Sequence, residues 1–353
     1  MSALVDWELA GRIARVAAGE GGAAMKAEID LGGASARAER AVIDYTGLST
    51  LEPVPEPEWV SRREWATANL DSMRELIAVL EQRVSEARPE VVSGPLGAIA
   101  GRVLAIELGG LVGLASRRVL GQYEFPLLGE REPRLLFVGE NIEVATADLD
   151  AGPAEVLEWI AAHEVTHAVH FASAPWLRGH MGGLARSLLA DAPLRIEPRE
   201  LLAAAGRLIS TDPRRLIAEL RHADPVTLLA PAASRETIAR VQSTMAAIEG
   251  YAEHVMDAAA EGLGLDVAKL RAGLERRRQD RGNLARVLSW LLGFEMKLRQ
   301  YREGKRFCDE VVERAGIGGL NRAWDGAESL PSATELGAAE TWIARCGSTS
   351  VAA

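Results

Sequence analysis

Residues 159–171 read WIAAHEVTHAVHF, and no other stretch limits so strongly what the chain can fold into. Apolar residues enclose the polar ones at helical spacing, which predicts a largely buried helix. His163 and His167 are four residues apart, so a helix puts both imidazoles on one face, about 6 Å apart along its axis. Glu164 is turned by about 100° from His163. The fold must therefore bury a helix that carries His163, Glu164 and His167.

The spacing of these polar residues is that of the H-E-x-x-H zinc motif. Two imidazoles one turn apart can bind one tetrahedral ion, and the glutamate between them can reach a water at the ion without being a ligand. The alternative is a helix whose histidines only form hydrogen bonds. A buried polar group without a partner costs about 1–3 kcal/mol, so the apolar flanks favour zinc, with Glu164 as the general base.

A catalytic zinc takes three protein ligands, so a third must come from elsewhere in the chain. The metzincin extension of the motif is excluded, because it requires a glycine where His170 stands and a histidine where Ser173 stands. His170 lies roughly on the ligand face, one turn further on, and His180 follows a predicted loop at 172–180. Both are weaker candidates for the third ligand.

A glutamate from a later helix, predicted at 233–262, is the favoured third ligand. Glu249 and Glu253 lie four residues apart on one face of this segment, in apolar surroundings. Its EGYAEH stretch resembles the segment that supplies a glutamate ligand in gluzincin aminopeptidases. We predict that Glu249 binds the ion and that Glu253 orients a ligand imidazole. Glu253, His254 and Asp257 remain alternative ligands.

Helical periodicity dominates the rest of the chain. Apolar residues recur at three and four over 61–87, after a Pro-rich connector at 51–59 that we expect to be extended. Ser61 and Glu64 are spaced to form a capping box at the start of this helix. Further helices are predicted at 196–208, 212–222, 266–280 and 283–315, with two more within residues 1–50.

Two strand-like segments, 120–128 and 134–142, stand directly before the histidine helix and predict a short hairpin. Asp150 is the expected N-cap of the helix that follows. The expected fold class is mainly α, with a small hairpin or short sheet before the H-E-x-x-H helix. Residues 1–92 are predicted to form an N-terminal helical region and residues 93–353 the catalytic region, packed together as one unit.

The most apolar long run covers residues 94–121, and we predict it to be a buried core helix notched by glycines. Arg102 and Glu107 interrupt the run, and each charge would cost about 3 kcal/mol at the centre of a membrane. No membrane partner is therefore expected.

The charge and the cysteine content indicate which partners and which compartment to expect. The formal net charge is -10, from 40 Lys and Arg against 50 Asp and Glu, which argues against nucleic acid as a partner because phosphate contacts need a basic face. Cys308 and Cys346 have no metal-type spacing, so a reducing cytoplasm fits better than a disulfide framework. The N-terminal residues lack the pattern of a secretory signal.

Several segments together resemble a known family, the zincin-like metallopeptidase homologues grouped with hydrolases and with coenzyme F420 biosynthesis-associated proteins. These segments are DWELAGRIA, VLGQYE, LLFVGENI, HEVTHAVHFASAPWLRGHM, IEGYAEHVMD, KLRQYREGKRFCDEVV and GLNRAWDGAESLP. The resemblance implies a mostly helical zincin-like fold, with zinc at His163, His167 and Glu249 and with Glu164 as the base. It implies no substrate. His170 departs from the family pattern, where another polar residue would be expected.

The resulting prediction is a zinc-dependent hydrolase of gluzincin type that acts on a peptide or a small-molecule amide. Its alternatives are a zinc enzyme with a non-peptide substrate linked to cofactor metabolism and a non-catalytic binding protein of zincin fold. An intact Glu164 argues against the last of these. Pro175, Trp176 and Leu177 could either wall the substrate cleft or plug the core. The candidates for stabilising an oxyanion are Tyr251, His254, His170 and Arg178.

Overall fold

The computed structural model describes residues 4–20, 29–87, 94–149, 151–191, 234–279 and 294–348. Asp150 and the helices predicted at 196–208 and 212–222 lie outside the described residues.

Helices account for most of the described residues, which confirms the predicted mainly α class. The helices predicted near 61–87, 233–262 and 266–280 are present within one residue of their expected bounds. In chain order the helices are α1 (Trp7–Ala18), α2 (Leu31–Thr46), α3 (Arg62–Ala87), α4 (Pro95–Ser116), α5 (Gly139–Leu149), α6 (Pro153–Ser173), α7 (Trp176–Asp191), α8 (Ser234–Gly262), α9 (Val267–Gln279), α10 (Phe294–Asn321), α11 (Ala333–Leu336) and α12 (Ala339–Ser348).

A small sheet precedes the histidine helix, as predicted, but it has a third strand. Strands β2 (Gly121–Glu124) and β3 (Arg134–Val138) form the expected antiparallel pair. Strand β1 (Pro57–Val60) arises from the connector that we expected only to be extended, and it pairs with β3 in parallel. The strand order is β1-β3-β2, which leaves β2 at an edge beside α6.

The second predicted strand segment, 134–142, is too long. The chain leaves β3 after Val138 and enters α5 at Gly139. From there the buried apolar residues recur at helical rather than alternating spacing, as Ile142, Ala145 and Leu149. The change of period ends the strand.

The two faces of β3 contribute to two different parts of the core. Leu135 and Phe137 pack in the main cluster together with residues of α2, α6 and α8. Leu136 and Val138 face the other way, into a cluster built with α1, α3 and α4. Alternation of side chains along the strand explains this division. Helix α2, from the predicted N-terminal region, thus shares the core of the predicted catalytic region.

Helix α6 is the most enclosed long helix of the described chain. From Val156 to Ala172 all residues except Glu158 and His163 are buried. Arg37 of α2 donates to the Glu158 carboxylate at 2.7 Å on the outer side. The N-cap is Gly152 rather than the expected Asp150, because Pro153 fills the first helical position and fixes where the helix can start.

Helix α4 was predicted to be a buried core helix, but it is only partly buried. One face lies against α1, where a Cβ on Gly109 or Gly113 would overlap with α1 atoms. Nearer the N-terminus of the helix, Ile99, Val103 and Ile106 are each about half exposed or more. The segment from 97 to 116 is long and apolar enough to cross a membrane, with 28% of its most apolar window buried. The prediction was wrong for the outer half of this helix, because a hydropathy pattern does not show which face a neighbour covers.

Candidate metal centre

His163 and His167 of α6 meet Glu249 of α8 at one point. One ligand atom from each lies within 4.8 Å of the other two. The Nε2 atoms of His163 and His167 stand 3.9 and 3.6 Å from Glu249 Oε2. In a tetrahedral zinc site with bonds of about 2.1 Å, neighbouring ligand atoms are about 3.4 Å apart. Two imidazoles and a carboxylate at this spacing fit a zinc ion.

The cluster is shielded but not sealed. The side chains of His163, His167 and Glu249 keep 21%, 10% and 18% of their surface exposed. Burial lowers the pKa of His167, but the carboxylates of Glu249, Glu164 and Glu253 outweigh it and raise that pKa above its ordinary value. Surroundings that favour a proton on the imidazole also favour a metal cation, which competes for the same nitrogen.

Glu164 is held beside this cluster and is not part of it. Its Oε2 accepts a hydrogen bond from the backbone N–H of Tyr123 at 2.9 Å, and the residue is 9% exposed. A Cβ on Gly121 would stand 2.6 Å from Glu164 Cγ, so only glycine allows the carboxylate this position. The edge strand β2 thus fixes the orientation of Glu164.

The sequence prediction missed both Gly121 and Tyr123. A glycine within a short strand often marks a place where another group approaches closely, and this is the signal that could have been used. Which group approaches depends on how β2 packs against α6, and the local pattern does not contain that information.

Glu249 owes its position to a close crossing of α8 and α10. A Cβ on Gly250 would overlap with the backbone of Gly304, and a Cβ on Gly304 would overlap with the carbonyl of Ala246. The two backbones touch directly beside Glu249. These glycines, in the EGY and REGK segments, were also missed, because a helical glycine on its own does not indicate its partner.

Glu253 and Asp257 lie on the next turns of α8, and cations from neighbouring helices anchor both carboxylates. Arg271 of α9 approaches the carboxylates of Glu253 and Asp257 to 2.8 and 2.6 Å, and Lys305 of α10 stands 3.4 Å from Asp257. Neither carboxylate belongs to the ligand cluster of the described residues. The charge of Glu253 contributes to raising the pKa of His167. That Glu253 orients a ligand imidazole remains a prediction.

His254 lies about 140° around α8 from Glu249. Its Nδ1 and Nε2 stand 2.7 Å from Asp309 Oδ1 and from the Tyr45 hydroxyl, respectively. In the neutral imidazole, Nδ1–H donates to the carboxylate and Nε2 accepts from the Tyr45 hydroxyl. Burial raises the pKa of Asp309, but hydrogen bonds from His254 and Lys305 lower it overall. Both nitrogens are engaged, which does not favour His254 as an oxyanion donor.

Tyr251 and His170 pack together in the core. The Tyr251 hydroxyl donates to Asn321 Oδ1 at 2.9 Å, and burial raises its pKa. His170 is fully buried with its ring 3.9 Å from that of Trp324, and burial holds its pKa well below the usual value. Neither of its nitrogens has a hydrogen-bond partner within the described ranges. His170 is therefore a neutral core imidazole, and neither residue belongs to the ligand cluster found there.

The predicted loop at 172–180 is only a short turn, because α7 already begins at Trp176. The Trp176 indole donates to the backbone oxygen of Trp324 at 2.8 Å, and Leu177 is fully buried. These contacts favour the core-plugging alternative for this segment.

The two remaining candidates lie on α7. Arg178 forms an ion pair with Glu52, and burial lowers its pKa. The rings of His180 and Trp176 form an edge-type (T-shaped) contact. Burial and the charge of Arg240 lower the pKa of His180. Among the described residues neither joins the group that could hold a metal ion.

A mostly helical fold with a short sheet, an H-E-x-x-H helix and a distant glutamate defines the zincin class of site. The chain belongs to the zincin-like metallopeptidase family, whose profile matches residues 5–343. A solved structure from Chloroflexus aurantiacus, described as a "putative hydrolase with a novel fold", is similar to it with 27% identity and a TM-score of 0.66. The match covers 97% of this chain and 98% of that chain. Among curated proteins no match is found.

Proposed function

We propose that the protein is a zinc-dependent hydrolase of gluzincin type, acting on a peptide or a small-molecule amide. His163, His167 and Glu249 hold the ion, and Glu164 is the general base. The observation that carries the proposal is the meeting of two imidazoles and a distant carboxylate within 4.8 Å, with a further carboxylate held just outside this set. A purely structural zinc site has no need of that additional group.

When bound, zinc acts as a Lewis acid that lowers the pKa of water and polarises a substrate carbonyl. Glu164 supplies the proton transfers. Its Oε2 is occupied by the Tyr123 N–H, which leaves Oε1 to accept a proton from the attacking water and to pass it to the leaving amine. The backbone hydrogen bond also keeps the carboxylate oriented between these two steps.

The edge strand supports a peptide substrate. Leu120 O accepts from Val138 N, and in an antiparallel pair such bonded positions alternate with positions that point outwards. The main-chain groups of Gly121 and Tyr123 therefore face away from β3, towards the side of Glu164. An extended peptide could pair with the carbonyl groups there by strand addition.

Replacing the base while keeping the metal tests the proposal. Glu164→Gln should retain wild-type zinc content and lose about 10²–10⁴-fold in the cleavage of a broad library of peptides and aryl amides. Glu155→Gln, in the first turn of the same helix, is the matched control and should keep both properties. Equal turnover by wild type and Glu164→Gln would overturn the role of Glu164.

Zinc binding with no turnover of any library member, by wild type or variant, would instead favour one of the two alternatives. These are a non-peptide substrate in cofactor metabolism and a binding protein of zincin fold. The link to coenzyme F420 biosynthesis rests on the family resemblance alone.

A further inference from the structure

An apolar stripe runs along the outer face of α4 with no neighbour among the described residues to cover it. Ile99, Val103 and Ile106 are 59%, 49% and 51% exposed. Their spacings of four and three are those of successive core positions in a two-helix coiled coil. Helices α1 and α3 pack against other parts of α4, and α1 lies on Gly109 and Gly113 towards its C-terminal end. The stripe is thus a short seam over 99–106 that no described neighbour covers.

Two opposite charges flank this seam symmetrically. Arg102 and Glu107 project about 70° to either side of its midline, and both are exposed. They are five residues apart and about 140° around the helix from each other, too far round to pair within α4. Within the described ranges neither forms an ion pair.

This arrangement matches a second copy of the same helix in parallel orientation. In parallel two-stranded coiled coils, the residue before one core position pairs with the residue five positions further along the partner helix. Arg102 of one copy would then meet Glu107 of the other, and the two-fold axis would repeat the pair. In an antiparallel pair each charge would instead approach its own counterpart and be repelled.

We propose that the outer face of α4 is a homodimer interface, in which two copies pack their α4 helices in parallel across a two-fold axis. Val103 faces Val103 and Ile106 faces Ile106 along the seam, and two Arg102–Glu107 pairs close its flanks. The interface is isologous, as expected for the commonest kind of symmetric dimer.

The same face fits a membrane less well. Helix α4 cannot span a bilayer without separating from α1, against which Gly109 and Gly113 hold it in backbone contact. Helices that lie on a membrane surface carry basic residues along their polar border. Here one border is basic and the other acidic, so attraction to an anionic surface is cancelled.

Charge exchange tests the dimer and its orientation together. The full-length protein should sediment as a dimer at about 50 µM, and Arg102→Glu or Glu107→Arg alone should weaken dimerisation about tenfold or more, since each creates two like-charge contacts. The double variant Arg102→Glu/Glu107→Arg should restore the wild-type dissociation constant. An equimolar mixture of the two single variants should form the heterodimer.

Three results would overturn the proposal: a monomeric wild type at this concentration, a double variant as weak as the single ones, or co-flotation of the wild type with phosphatidylserine vesicles. Unchanged circular dichroism of each variant separates loss of the interface from loss of the fold.

A cysteine placed in the seam gives a second readout. Ile106→Cys should form a disulfide-linked dimer under mild oxidation, whereas Val16→Cys, 78% exposed on the neighbouring α1, should form no disulfide cross-link between subunits. The native Cys308 and Cys346 are buried and do not compete. Equal cross-linking of the two variants would count against a specific interface.

Discussion

Helices α4 and α6 are both long and apolar, yet their surroundings are opposite. Helix α4 is the more apolar of the two in composition but leaves Ile99, Val103 and Ile106 exposed. Helix α6 carries two histidines and a glutamate at its centre and is buried over nearly its whole length. The difference lies in their neighbours. Within the described chain, helix α6 is enclosed by α2, α8 and the sheet, whereas α4 packs mainly against α1 and α3.

The comparison shows that burial follows packing rather than hydropathy alone. His163, Glu164 and His167 are tolerated inside α6 because its neighbours bring partners to them. Glu164 receives the Tyr123 N–H, and His163 and His167 lie beside Glu249. Four predictions test this contrast and the contacts of α8 that support it.

The largest effect is expected from removing a polar group of α6. His163→Ala should lower zinc affinity by more than about 100-fold, because partners that only orient a ligand already account for 10–100-fold. Metal analysis of purified protein measures this directly. His180→Ala, outside the cluster, is the matched control and should keep its zinc. Retention of stoichiometric, tightly held zinc by His163→Ala would refute the ligand set.

The second prediction compares apolar residues on the two helices. Phe171→Ala should reduce the free energy of unfolding by about 3–5 kcal/mol, because this α6 side chain is 1% exposed and packs against Phe125. Ile99→Ala on α4 should cost less than about 0.5 kcal/mol in the monomer. Urea unfolding at sub-micromolar concentration gives both values. Similar costs would mean that the outer face of α4 is covered within one chain.

The third prediction concerns the glycine contact that brings α8 to α6. Gly250→Ala should cost about 1–3 kcal/mol in unfolding free energy, since its methyl group would overlap with the backbone of Gly304. It should also weaken zinc binding by moving Glu249. Gly183→Ala in α7, where a Cβ meets nothing within 4 Å, should stabilise by about 0.5–1 kcal/mol. If both substitutions stabilised the protein, the close crossing would be disproved.

The smallest effect on stability is expected from the partly exposed contacts of Asp309 with His254 and Lys305. Hydrogen bonds from His254 and Lys305 hold the pKa of Asp309 below its ordinary value despite partial burial. A lowered folded-state pKa gives stability that is present above about pH 4 and is lost as the pH falls through the folded value.

Asp309→Asn should therefore cost about 1 kcal/mol or less at pH 7, and the difference from wild type should shrink as the pH falls below about 4 and through the folded-state pKa. Unfolding curves across this range measure the difference. A deficit that persisted at low pH would show that the Asp309 contacts stabilise by packing rather than by charge.

Much of the local structure was predictable from short-range patterns. The capping box formed by Ser61 and Glu64 starts α3 as expected, with N···O distances of 2.6 and 3.2 Å. The hairpin and the histidine helix follow in the predicted order. These features depend on residues within one or two turns of each other, and a local sequence contains that information.

The errors occur where distant segments meet. The pairing of β1 with β3 joins residues more than seventy positions apart, and Gly121 is needed only because Glu164 packs on it. The outer face of α4 was expected to be buried, since its composition resembles that of a core helix. Each of these features depends on a contact that no local period encodes.

The sequence by itself determined that a buried helix would present two imidazoles on one face with a carboxylate between them, because helical geometry fixes residues four apart. Only the tertiary structure decided that Glu249 would meet those imidazoles and that β2 would hold Glu164 in place. It also decided that Ile99, Val103 and Ile106 of the most apolar helix would have no covering neighbour among the described residues. The physical reason is that side-chain direction within a helix is a local property, whereas burial and convergence depend on which distant surfaces fit together.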